Sequence, residues 1–127
     1  MKLCISTLKG FQVFRLSEIL YLEAVSSCTI FHLVNGHQIT TSRSIIDYEL
    51  MLEDNLFWRI HKSYIINLTH VLEYKKGEGA VVRLTNAKEV EVSRRKKKSF
   101  LSGLKICLRC NQPLGFELPG SIKHIKN

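Results

Sequence analysis

The first half of the chain is built from short apolar runs with polar breaks. CIST, FQVF, EILYLEAV and CTIFHLV (residues 4–7, 11–14, 18–25 and 28–34) are rich in β-branched and aromatic residues. Such runs predict strands. Asn35-Gly36 separates CTIFHLV from HQITTSR, and this pair tolerates the positive φ angles of a type I′ turn. A β-hairpin is expected there, with Tyr21, Ile30 and Leu33 in the core. SIIDYELMLED (44–54) breaks the alternation, because Ile45, Tyr48, Glu49 and Leu52 follow helical spacing. Ile46, Leu50 and Met51 widen that stripe, Ser42 or Ser44 is a candidate N-cap, and Asp47 and Glu49 suit the positive end of the helix dipole.

Strand-like runs resume with FWRI, RIHKSYIINLTHV (59–71) and VLEYKK. A Gly77-Glu78-Gly79 turn leads to AVVRL, and Thr85–Lys88 turns into EVEVS. There Val90 and Val92 face one way and Glu89 and Glu91 the other, as in a half-solvated strand. SRRKKKSFLSGL (93–104) predicts a short helix capped by Ser93, with Phe100, Leu101 and Leu104 turned inward. The fold class is therefore mostly β with one or two short helices. One domain is expected over residues 1–104. Residues 105–127 form a C-terminal extension broken by Pro113, Gly115, Pro119 and Gly120, with Leu114, Phe116 and Leu118 alternating as an edge strand.

Composition excludes several classes. The chain is 45% hydrophobic, enough to bury a core. No run approaches the ~18 apolar residues of a membrane span, and the N-terminus shows no apolar signal-peptide region. A cytoplasmic location without membrane contact is expected. Cys4, Cys28, Cys107 and Cys110 then read as free thiols. Cys107 and Cys110 form a lone C-x-x-C, and only His124 stands behind it, so neither metal nor cofactor is expected.

Charge changes the picture more. Residues 1–87 hold nine Lys/Arg against eight Asp/Glu, a net of +1; residues 88–127 hold ten against three, a net of +7. Arg94, Arg95, Lys96, Lys97 and Lys98 occupy the first turns of the predicted C-terminal helix. That end already carries partial positive charge, and each cation there typically costs ~0.3–1 kcal/mol. The same geometry suits phosphate, because backbone N–H groups and side chains converge on an anion. A polyanionic partner follows.

Catalysis finds little support. His61 and Ser63 offer a base and a nucleophile, but no third orienting group or oxyanion donor is evident, and neither a G-x-S-x-G elbow nor a Walker-type phosphate loop occurs. Glu18 and Glu23 are expected to be structural.

EILYLEA (18–24), FWRIHKSYIINLTHVLEY (57–74) and EVEVSRRKKKSFL (89–101) resemble, in order and spacing, the LytTR DNA-binding domain of bacterial transcription regulators. The likeness covers residues 3–104. It implies small antiparallel sheets with short helices, and loops at one edge that enter successive major grooves of double-stranded DNA. It implies DNA contacts from the Val25–Thr29 loop, from Lys62 and from Arg94 and Arg95. Side-chain chemistry makes Lys62, Arg95, Thr29 and Ser27 the candidates for base contacts, and Arg94, Lys96, Lys97, Lys98, His61 and Ser63 those for phosphate contacts. Cys28 stands where the family commonly has an aromatic, and Asn86-Ala87 replaces a more usual glycine turn. The resemblance also implies a two-component or stand-alone regulator, with a sensor kinase or receiver domain upstream and pairing as a homodimer on repeated half-sites. Two other functions compete with this one. The 45–52 helix or the 114–118 segment would make a protein-interaction module. Stacking on Tyr21, Phe31, Trp58 and Tyr64 would make an RNA-binding domain.

Overall fold

The computed structural model describes residues 2–7, 9–53 and 56–107. A hairpin of β1 (Lys2–Thr7) and β2 (Gly10–Arg15) comes first. The central sheet holds β3 (Ile19–Val25), β4 (Cys28–Leu33), β5 (Gln38–Thr41), β6 (Phe57–His61) and β7 (Tyr64–Asn67), in the order β5-β4-β3-β7-β6. Helix α1 (Ile45–Leu52) lies between β5 and β6 in the chain. A third sheet has the order β10-β9-β8, from β8 (Val71–Lys75), β9 (Val81–Leu84) and β10 (Glu89–Glu91). Helix α2 (Arg94–Cys107) follows. All strand pairs are antiparallel.

The central sheet is buried on both faces, and this explains the unbroken apolar run in YIIN. Successive strand residues point to opposite faces. Ile66 joins a core with Tyr21, Ile60, Val82, Val90 and Phe100, under the third sheet and α2. Ile65 joins a second core with Leu22, Phe31, Phe57, Tyr48 and Ile5, under α1 and the first hairpin.

The β4–β5 hairpin stands where Asn35-Gly36 places it, but its turn is of another kind. The Gly36 N–H donates to the Leu33 carbonyl (3.0 Å) and the Leu33 N–H to the His37 carbonyl (2.9 Å). Only Gly36 has positive φ, at 90°, which marks a three-residue loop ending in a glycine bulge. Asn35 keeps an ordinary φ and accepts the His37 N–H on Oδ1 (2.9 Å). The β9–β10 turn repeats this pattern, with Ala87 donating to Leu84 and Leu84 to Lys88. Here Ala87 occupies the left-handed position, at φ 72°. A Cβ is disfavoured there by roughly 1–2 kcal/mol. Ala87→Gly should therefore raise stability by about 1 kcal/mol in urea unfolding.

Helix α1 buries Ile45, Tyr48 and Leu52, as its spacing predicts. Ile46, Leu50 and Met51 do not widen the buried stripe; they are exposed, because the sheet offers α1 one narrow face. Ser44 is the N-cap residue, yet its side chain makes no cap hydrogen bond. Glu49 serves Arg59 of β6 (2.6 Å) rather than the helix dipole.

Helix α2 runs to Cys107, past the predicted end at Leu104. Phe100 is fully buried, with Leu101 and Leu104 packed beside it. Gly103 is set against Trp58: a Cβ there would stand 2.7 Å from two indole carbons. Alanine favours a helix interior by ~1 kcal/mol over glycine, but the clash outweighs this by a typical overpacking cost of ~1–3 kcal/mol. Gly103→Ala should lower the urea midpoint and shift the emission of Trp58, the single tryptophan. The predicted 114–118 strand, Cys110 and His124 lie outside the described residues, as does the side chain of Cys107.

Candidate nucleic-acid interface

The β6–β7 turn presents Lys62 at its tip, exposed, between half-buried His61 and Ser63. Its support comes from beneath. Arg59 donates from Nε to the His61 carbonyl (2.9 Å) and from Nη2 to the Lys62 carbonyl. Its Nη1 donates to Glu49 Oε1 on α1 (2.6 Å). The Ser63 N–H donates to His61 Nδ1 (3.1 Å), and His61 Nε2 has no hydrogen bond among the described residues. The link between this candidate nucleophile and base is a backbone one, so the pair fixes the turn.

A register shift separates Arg59 from His61, and Ile60 falls outside the regular ladder. Its carbonyl instead accepts the Ser93 N–H (2.8 Å). Bulges commonly re-aim a strand beside a site. This one joins the start of α2 to the Lys62 turn. On the other side, the Ala24 N–H donates to the Ser63 carbonyl (2.8 Å), which brings up the β3–β4 turn. That turn has two connecting residues, Ser26 and Ser27, both exposed. Ser26 holds a positive φ of 55°, a strained conformation for a residue with a Cβ.

Three polar segments distant in sequence therefore meet at one edge of the central sheet. Of the residues named from sequence, Ser27, His61, Lys62 and Ser63 lie on these joined turns, and the Arg94–Lys98 block begins directly after Ser93, which is bonded to Ile60. Arg94, Arg95 and Lys98 are exposed, while Lys96 and Lys97 are half-buried. The Lys97 ammonium donates to the Gly77 carbonyl (3.2 Å). No acid stands in the first turn of α2, so the clustered charge is not offset locally.

Thr29 is not among them. Its side chain is fully buried, and its hydroxyl donates to the Arg43 carbonyl (2.8 Å), tying β4 to the end of β5. Strand pairing turns this residue inward, so it holds the sheet and offers nothing to a ligand. The stacking platform is likewise withdrawn. Tyr21 and Phe31 are buried, and the Trp58 indole N–H donates to Ser99 on α2 (3.3 Å). Tyr21 stacks on His32 at 4.2 Å, and Glu23 accepts from or pairs with His32 at 2.9 Å, so Glu23 is structural as expected. The Tyr21 hydroxyl is pushed up to about 12, first by burial and then by Glu23 and Tyr64. Tyr64 is raised by the same burial and by Glu23.

The roles of Arg59 and Glu49 were not legible in the sequence. Their partnership crosses from helix to strand, and no spacing rule announces it. Lys88 was missed as well; it lies 6.0 Å from the ring centroids of both Tyr21 and Tyr64, on a turn beside the cluster.

Comparison with known proteins decides the family. The profile of the LytTr DNA-binding domain matches residues 9–105. The chain belongs to this family. Residues 9–105 are thus a LytTr DNA-binding domain. The transcriptional regulatory protein LytR of Staphylococcus aureus strain N315 is 35% identical over 78 residues, 60% of this chain and 31% of that protein. LytR of strain USA300 matches equally. The chain thus spans about a third of the length of these curated relatives. The LytTr DNA-binding domain of a Bacillus cereus DNA response regulator superposes with a TM-score of 0.70 at 24% identity, covering 81% of this chain and 95% of that one. This likeness confirms the mostly β LytTr fold. No helix among the described residues is long and apolar enough to cross a membrane.

Proposed function

We propose that this LytTr domain regulates transcription by reading duplex DNA in the major groove. The observation that carries the reading is the convergence of the β3–β4 turn, the β6–β7 turn and the start of α2, joined by the Ala24–Ser63 and Ser93–Ile60 hydrogen bonds. In this reading Lys62 and Arg95 reach base edges, with Ser27 beside them. Arginine and lysine suit the paired acceptors of guanine. Arg94, Lys96, Lys97, Lys98, His61 and Ser63 meet phosphates, which position the protein without specifying sequence. A receiver domain or sensor kinase upstream, and pairing on repeated half-sites, complete the reading.

The test uses a duplex selected from a random pool on the unaltered protein, beside a scrambled duplex. Lys62→Ala and Arg95→Ala should each cost ~1–3 kcal/mol on the selected duplex and little on the scrambled one. Equal loss on both duplexes would mean these side chains touch phosphate only.

A second reading has one observation in its favour. The outer face of α1 exposes Ile46, Leu50 and Met51 together, a surface suited to a protein partner.

A further inference from the structure

We propose that Arg59 is a positioning residue for Lys62, anchored by Glu49 of α1. The proposal rests on the reading that Lys62 contacts a base.

Arg59 lies on β6, and only 14% of its side chain is exposed. A buried guanidinium is costly unless its donors are satisfied. Here the donors are aimed at two successive carbonyls of the turn, His61 and Lys62, and at the Glu49 carboxylate. A planar fork that holds two consecutive carbonyls orients the two peptide planes on either side of the Lys62 Cα. These planes join Lys62 to His61 and to Ser63, so their orientation helps set the direction in which the Lys62 side chain leaves the backbone. The ladder does less here than in most hairpins, because the register shifts between Arg59 and His61. The fork supplies what the ladder omits. Glu49 completes the device by holding the far side of the guanidinium at 2.6 Å from a rigid helix. Glu49, Arg59 and Lys96 also line one cleft of about 230 Å³, so the anchor and the basic start of α2 share a surface.

Lysine cannot reproduce this arrangement. Its ammonium is a compact point charge and cannot hold both carbonyls and the carboxylate in one plane. Arg59→Lys therefore keeps the charge and releases the direction. Base contacts need placement within about 0.5 Å, so discrimination suffers before general affinity does.

The experiment measures binding to the selected and scrambled duplexes for the unaltered protein, Arg59→Lys, Lys62→Ala and the double variant. Arg59→Lys should lower the selected-to-scrambled affinity ratio about tenfold, within the range of one base contact. The salt dependence on the scrambled duplex should not change. The double variant should match Lys62→Ala alone, since the positioning has nothing left to position. Additive losses, or equal losses on both duplexes, would overturn the proposal and leave Arg59 a general stabiliser. A Lys62→Ala protein with an unchanged ratio would sink the base-contact reading, and the positioning role with it. A lowered ratio for Lys62→Ala beside an unchanged one for Arg59→Lys would sink the positioning role alone. Should Arg59→Lys fail to fold, Glu49→Gln decides: it retains one acceptor and removes the charge, so the ratio should fall severalfold, and an unchanged ratio refutes the anchor.

Discussion

Asn67→Asp should be among the most destabilising single changes in this chain, at roughly 3–5 kcal/mol near neutral pH, the usual cost of an uncompensated buried charge. Asn67 is 2% exposed at the end of β7. Its Nδ2 donates to the carbonyls of Ile19 (2.9 Å) and Leu16 (3.2 Å), across some fifty residues of chain. Its Oδ1 accepts from the Thr69 N–H (3.0 Å) and hydroxyl (2.7 Å). One amide thus satisfies the Leu16 carbonyl and that of Ile19, the first residue of β3, and caps the turn after β7. A carboxylate would accept from Thr69 equally well but would face two carbonyls with no proton between them. Burial and those carbonyls would hold the introduced carboxyl above the ordinary aspartate value of ~3.9. Protonation is then favoured in the folded state, so the deficit should shrink as pH falls toward that value and be fully present above the raised one. Urea unfolding of the two proteins at pH 7 and pH 4.5 measures this. Equal midpoints at pH 7 would show that the amide is not the clamp its four bonds suggest.

Neutralising Arg94, Lys96 and Lys97 together by glutamine should have the largest effect on DNA binding. If each meets one phosphate, the slope of log affinity against log salt falls by about 0.9 per contact, or roughly 2.7 in all. Over a fourfold rise in salt the variant should then lose about fortyfold less affinity than the unaltered protein. The loss at low salt should be similar for selected and scrambled duplexes. Folding should not suffer, because these cations lie near the positive end of α2, where charge removal is mildly favourable. An unchanged salt slope would remove the α2 block from the interface.

The elements and the interface differ in how far local pattern reveals them. Alternation in EVEVS gave both the strand and its faces, and β10 buries Val90 while exposing Glu89 and Glu91. The Ile45, Tyr48 and Leu52 spacing located α1 and its buried residues, although the wider stripe through Ile46, Leu50 and Met51 is exposed. The cation block was legible because it contradicts the charge preference of a helix start. In each case the signal lies within a few residues, where backbone periodicity and side-chain type act together.

Thr29 shows the limit. Its polar neighbours place it in a reading loop, but its exposure depends on β5, which pairs it with Thr41 and brings up the Arg43 carbonyl. The same holds for the two apolar faces of β7, since no local pattern says which layers will cover Ile65 and Ile66. RIHKSYIINLTHV determined by itself that a polar tip sits on an apolar anchor. Only the tertiary structure decided that Arg59 faces inward, that Glu49 meets it, and that Ser63 and Ile60 hold the neighbouring segments at the same edge. Those partners lie on separate elements, and what brings them together is the packing of two cores on one sheet rather than any preference of the residues themselves.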